Sequence, residues 1–423
     1  MGARRCGAGS LRAVGAGLVA LGLLASGCGG GGDGGNGRVT IRYSWWGAQD
    51  RADLINRTVD LFEKEHPGIE VKTDFQEYND FWTKFNTQAA GGNPPDVFQN
   101  SHAFLRKYGR KNLLLDLDAQ VRAGNLDLDG FRQGLGRAGE VDGKLLGVPV
   151  GANTFALVYD VEAFEKAGVT PEPGWTWEDF DEAVERISGT RKDFWGASDN
   201  AGVMYLYDLY LRQQGKAFFT EEGLGFTEAD LRTWWGDHYR DNRAGLLVPA
   251  KKSDQVKPES PISAGLSAAE FTWDNFLVRY TSETDTELAL APVPTTDGER
   301  TGQYLSSLML SASARTEHPE EVARFIDFMV NDPEVGRIMG YNRGVLPTEA
   351  QFEAYRPKGP DALIAEYEKS VAEHLEPITP HPAGADTVEA AFLSIYGAIA
   401  QGTTPVDDGV AQFFDEAKTA LGS

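Results

Sequence analysis

Between Val39 and Phe98 the spacing of apolar residues switches repeatedly between a strand period and a helix period. Val39, Ile41, Tyr43 and Trp45 alternate and share one face of an extended run, whereas Ile55, Val59 and Phe62 recur at helical spacing. His66-Pro67-Gly68 stops that helix. Ile69, Val71, Thr73 and Phe75 alternate again, and Tyr78, Phe81, Trp82, Phe85 and Ala89 return to helical spacing. Gly91-Gly92 ends this second helix, and Pro95-Asp96-Val97-Phe98 opens a third, short strand. A β-α-β-α-β order predicts an α/β fold with a parallel or mixed sheet and helices on its faces.

Two Asp-Gly hairpin signals follow, Asp142-Gly143 before Leu145–Val150 and Asp297-Gly298 after Leu288–Pro294. Between them, Thr176 to Asp179 reads as a capping box and Met204 to Leu211 as an aromatic-rich helix. Pro319 suits a first helical turn ahead of the stripe Val322, Phe325, Ile326 and Met329. The chain from Asp361 is helical in pattern. At 423 residues it exceeds the roughly 250 to 300 that one core supports, which predicts two lobes.

The formal charge of −23 removes nucleic acid from consideration, because counterion release from phosphate needs a positive stripe and no Lys/Arg cluster supplies one. Arg4, Arg5 and Arg12 precede an apolar run, Ala13–Leu24, and the small residues Ala25-Ser26-Gly27-Cys28. That is the layout of a secretory leader over 1–27, and the run is too short to span a bilayer. Loss of the leader takes those three arginines with it, so the working chain is more acidic still. Gly29–Gly37 reads as a flexible tether.

Gly134-Leu135-Gly136-Arg137-Ala138-Gly139 matches GxGxxG but follows no buried strand, so no dinucleotide site is expected. The six histidines show no metal-ligand spacing; neither a metal nor a cofactor is expected, and His102 and His381, in loops where a ligand could sit, read as solvated or structural. Acidic neighbours such as Glu221-Glu222 read as surface charge. Aromatic residues carry more. A sugar presents flat C–H faces and polar edges, so its cleft combines aromatic platforms with amides and carboxylates. Trp45-Trp46-Gly47 ends the first strand, where ligands of open α/β sheets bind, and Trp273-Asp274-Asn275 lies far off in sequence. Trp82 reads as core.

The segment order is similar to that of the carbohydrate-type extracellular solute-binding proteins, the lipoprotein relatives of maltose-binding protein. The matching stretches include Ile41–Gly47 with Arg51, Phe62–Ile69, Ala89–Val97, Gly147–Thr154 leading into Val158–Asp160, Trp175–Phe180, Phe271–Asn275, Leu290–Pro294 and Arg343–Pro347. The leader ending Leu24–Cys28 resembles a lipobox, which implies lipid on Cys28 and a tether over 28–37.

That resemblance implies a two-lobed periplasmic-binding-protein-like fold of type II, with a hinge of crossover segments at Pro149–Thr154 and Glu287–Ala291. Lobe 1 would take 38–150 plus 291–332, and lobe 2 would take 153–288 plus 335–423. Ligand contacts would come from Trp45, Trp46, Asp50, Arg51, Tyr78, Asn100, Ser101, Asn153, Trp273, Asn275 and Arg343. An acidic residue is common in maltose-type members where Asn153 stands, so the amide departs from maltose-like specificity. The late aromatic platform of the family has no evident counterpart around His381–Val388. The implied protein is a non-catalytic, monomeric, lipid-anchored receptor on the extracellular side of the membrane, passing a carbohydrate to the permease of an ABC importer. A secreted glycoside hydrolase, or the same fold binding a polyol phosphate or polyamine, are the competing readings.

Overall fold

The computed structural model describes residues 37–220, 223–376 and 381–422; the leader, Cys28 and the tether up to Asn36 lie outside the described residues. β1 (Val39–Trp46), α1 (Gln49–Glu65), β2 (Ile69–Gln76), α2 (Tyr78–Ala90) and β3 (Val97–Ser101) follow the alternation read from the apolar spacing. α3 (His102–Arg110) and α4 (Asp118–Arg122) lead to a hairpin of β4 (Glu140–Val141) and β5 (Lys144–Leu145). Its turn is Asp142-Gly143, at φ 53° and 75°, the left-handed pair that a tight hairpin needs.

β6 (Val148–Asp160) comes next, then α5 (Val161–Ala167), α6 (Trp177–Ile187) and α7 (Met204–Gln213). The pair β7 (Phe219–Thr220) and β8 (Gly223–Leu224) precedes α8 (Glu228–Ala244), α9 (Ala250–Val256), β9 (Ala269–Trp273), α10 (Phe276–Glu283) and β10 (Leu288–Ala291). β11 (Leu305–Ala312) is followed by α11 (Pro319–Asn331), α12 (Pro333–Met339), α13 (Glu349–Ala354), α14 (Pro360–Val371), α15 (Ala385–Ala400) and α16 (Val406–Leu421). Thr176 and Asp179 do close a capping box on α6, and Pro319 does occupy the first turn of α11. The second Asp-Gly signal is not a hairpin. β10 pairs with β6, not β11, and the Asp297 carboxylate instead accepts the N–H groups of Glu299 and Arg300 in a loop turn.

The sheet runs β10-β6-β11-β3-β1-β2, with β9 also on β6. β1 is parallel to β2 and β3, while β11 is antiparallel to β3 and β6. β6 is the spine. Its first half, to Thr154, pairs with β11, and its second half, from Phe155, pairs with β9 and β10. The strand is buried along nearly its whole length, as befits one covered on both faces.

Separate cores lie on the two halves of this spine. Ile41, Tyr43 and Trp45 of β1 pack on Ile55, Val59 and Phe62 of α1 and on Phe325 and Met329 of α11. The opposite face of that sheet carries Phe81, Trp82, Phe85, Phe98 and Tyr108. The second core joins Phe155 and Leu157 to Tyr207, Trp235, Phe392 and Phe413. Ala291, Val293 and Tyr304 pack with the second core, and Val335 and Met339 with the first.

Candidate functional site

Alternation along β1 separates its two tryptophans. Trp45 is fully buried, tilted on Tyr43 at 4.9 Å and stacked on Phe75 at 5.8 Å. It is a core residue and lines no cleft, which corrects the expectation drawn from the resemblance. Trp46 faces the other way and is half-buried, edge-on to Tyr78 at 5.4 Å and to Phe81 at 5.3 Å. Tyr78 opens α2 and is 41% exposed.

Two residues outside the expected set join these aromatics to Trp273. Glu389 of α15 acts electrostatically on the hydroxyls of both Tyr78 and Tyr205 of α7. Tyr205 meets Trp273 edge-on at 5.2 Å, and Trp273 meets Phe155 at 5.2 Å. Burial, with the nearby charge of Asp386 adding to it, pushes the Glu389 carboxyl up to about 7. The Trp46–Tyr78 pair, from the first-core side, and the Tyr205–Trp273 pair, from the second-core side, are thus linked through the charge of one carboxyl group.

α3 and α15 close this region. Lys107 of α3 pairs with Asp386 of α15, and its ammonium also lies 5.6 Å and 5.5 Å from the rings of Phe104 and Tyr108. His102 begins α3 and is not a loop residue; it is buried, with neither ring nitrogen bonded. Burial, and then His381, lower it to about 3. His381 does lie in a loop, is stacked on Tyr205 at 6.3 Å, and is lowered to about 4 by burial and by Arg212.

Most of the remaining expected residues are held in protein contacts, the side chains of Ser101 and Arg343 being the exceptions. Asn100 is fully buried; it donates to Ser311 Oγ at 2.9 Å and accepts the Ser101 N–H at 2.8 Å, so it braces β3 against β11. Ser101 is half-buried and makes no side-chain cap on α3. Arg51 donates from Nε to Asn342 Oδ1 at 2.8 Å, from Nη2 to the Asn342 carbonyl at 2.9 Å and from Nη1 to the Trp46 carbonyl at 3.3 Å. Asp50 accepts from Asn342 at 3.4 Å, and Asn275 reaches the same carbonyl at 3.5 Å. Asn153 donates to the Arg343 carbonyl at 3.2 Å. Gly344, at φ +108°, is pressed so closely on Asn153 that a Cβ would stand 2.4 Å from Oδ1. Asp50, Arg51, Asn153, Asn275 and Arg343 therefore converge on one chain segment, 342–344.

Sequence reasoning missed Tyr205, Glu389 and Asn342. Tyr205 sits in the aromatic-rich helix already noted, and Asn342 directly precedes the noted Arg343. Glu389 carried no local signal. A cavity of about 410 Å³ lies elsewhere, on the Ala152 face of β6, between Leu305, Tyr341, Phe352 and α14.

A two-lobed α/β frame with aromatic pairs from both cores beside one buried carboxyl group defines a class, that of the hinged solute receptors. Residues 44–335 match the family model of the bacterial extracellular solute-binding proteins, and the chain belongs to that family. YcjN of Escherichia coli K12 is 24% identical over 288 residues, 66% of either chain. The diacetylchitobiose binding protein DasA of Streptomyces coelicolor is 23% identical over 360 residues, 80% of either chain. Among solved structures, the ABC substrate-binding protein Lmo0181 of Listeria monocytogenes in complex with cycloalternan superposes with a TM-score of 0.80 at 20% identity. That match covers 91% of this chain and 99% of the other.

Proposed function

We propose that the protein captures a carbohydrate outside the cell and delivers it to the permease of an ABC importer, without turning it over. The observation that carries this reading is that two aromatic pairs, Trp46–Tyr78 and Tyr205–Trp273, lie on the two sides of Glu389, whose charge acts on both tyrosines. Aromatic faces take the C–H surface of a pyranose and the carboxyl accepts its hydroxyls. The sugar names borne by DasA and Lmo0181 agree with it. Because these groups belong to two cores, a ligand touching all of them favours the closed arrangement by its differential affinity. The packing of Ala291, Val293 and Tyr304 with the second core supports a lobe limit near Leu305 in place of 291. That of Val335 and Met339 with the first supports a second limit beyond Met339 in place of 335.

In this reading Trp46, Tyr78 and Trp273 contact sugar, while Asp50, Arg51, Asn153, Asn275 and Arg343 fix the hinge segment. Cleavage before Cys28 leaves a lipidated N-terminus, and 28–37 tethers a monomer to the outer face of the membrane. A panel of mono- and oligosaccharides, read by thermal shift and tryptophan fluorescence, tests the ligand class; no response to any sugar defeats it. Steady turnover of a chromogenic glycoside would defeat the non-catalytic part. Palmitate labelling that persists in Cys28→Ala would defeat the anchor.

A further inference from the structure

Arg343 is 2% exposed, yet among the described residues Nε and Nη1 have no acceptor and no carboxylate lies within ion-pair distance. A guanidinium stays protonated in a protein, and a buried unpaired charge costs several kcal/mol. Its neighbours deepen the problem. Arg51 brings a second positive charge, and all three of its donor nitrogens are already engaged by Asn342 and the Trp46 carbonyl. Burial, and then Arg343, lower Arg51 to about 10. The Tyr43 hydroxyl lies alongside the Arg343 guanidinium, is fully buried, and is outside hydrogen-bonding geometry. On the same face of β1, Trp45 Nε1 also lacks an acceptor. The first turn of α1, which carries Arg51, has no side-chain cap. Buried Asp274 and half-buried Glu368 interact with each other and are not among the groups acting on Arg343. Asp50 is exposed.

What is missing here is therefore an acceptor that carries negative charge. We propose that a small monovalent anion of the chloride type sits against Arg343 and the Tyr43 hydroxyl, between the end of β1, the first turn of α1 and the 342–344 segment. Water would satisfy the N–H groups but would leave the charge uncompensated. The complete enclosure of Tyr43 and Trp45 favours a single-atom ion over sulfate or phosphate. Arg343 lies on the segment gripped by Asn153, so the ion fastens one of the chain's passages between the cores.

This inference does not rest on the carbohydrate reading, and its test needs no sugar. Crystals of the lipid-free mature chain soaked in bromide are expected to show an anomalous peak in contact with Arg343 Nε. In solution, replacing gluconate by chloride at a constant ionic strength of about 0.15 M should raise the thermal midpoint saturably by about 2–3 °C. Arg343→Met should abolish that dependence; if it fails to fold, Tyr43→Phe should shift the halide midpoint several-fold upward. No peak, a peak without a saturable effect in solution, or an undiminished chloride effect in Arg343→Met each overturns the proposal. Displacement of bromide by a uronic acid would also overturn it, because the partner of Arg343 would then be a ligand carboxylate.

Discussion

Adjacent tryptophans on one strand have opposite fates here, and single substitutions separate them. Trp45→Ala opens a hole among Tyr43, Phe75 and the first core, and should cost about 3–5 kcal/mol, read as a lowered urea midpoint. Trp46→Ala should leave that midpoint much nearer the parent value while lowering ligand affinity at least ~10-fold, about 1.4 kcal/mol, by calorimetry. An equal loss of stability in both variants would contradict the assignment. The parity that decides the matter was legible, since Val39, Ile41, Tyr43 and Trp45 share the apolar face. The resemblance placed both tryptophans in the cleft because a family pattern does not distinguish neighbours. His102 and His381 offer a test in pH. Their folded pKa values, about 3 and about 4, lie below the ordinary 6.5, so their contribution is intact above pH 6.5 and is lost as pH falls toward 4. Asp274 and Glu389, both raised, act in the reverse sense. The informative measurement is therefore the difference between parent and His102→Gln, whose thermal midpoint should fall less steeply between pH 6.5 and 4.

At the scale of elements, α3 and α15 meet through Lys107 and Asp386, and their flanking residues belong to different cores. Both side chains are mostly shielded from solvent, so the pair should favour the closed arrangement more than a surface ion pair would. Lys107→Ala is expected to weaken ligand binding about 3- to 10-fold, and the parent, unlike the variant, to lose affinity between low and high salt. Identical salt dependence in the two proteins would show the pair to be irrelevant to closure. Elements made by local chemistry were readable, including the α6 capping box, the Asp142-Gly143 turn and the N-terminal alternation. The site was only half readable. Tyr205 meets Trp273 and Glu389 acts on Tyr78 through long-range packing; the aromatic helix around Tyr205 was visible but not its partner, and nothing near Glu389 in the chain announces it. Asp297-Gly298 failed as a hairpin for the same reason: β10 pairs with the distant β6 and not with its successor in the chain.

For the whole molecule, Gly344 is one point at which the proposed hinge segment has no room for a side chain. A Cβ there would strike both Asn153 and the Ala152 carbonyl, at a φ that L-residues avoid. Gly344→Ala should cost about 1–3 kcal/mol and should also alter the ligand-induced fall in radius of gyration seen by small-angle scattering. A compaction unchanged from the parent would place the hinge elsewhere. The sheet order has a consequence of a different kind, in time. Asn100 on β3 is braced by Ser311 on β11, and Tyr43 packs on Phe325, so the first-made part of the protein lacks its partners until the chain has passed residue 325. At about 5–20 residues per second, more than 200 further residues take roughly ten to forty seconds to appear. Throughout that interval the leading segment has no finished core to collapse onto, a delay that the proposed export of an unfolded chain would use.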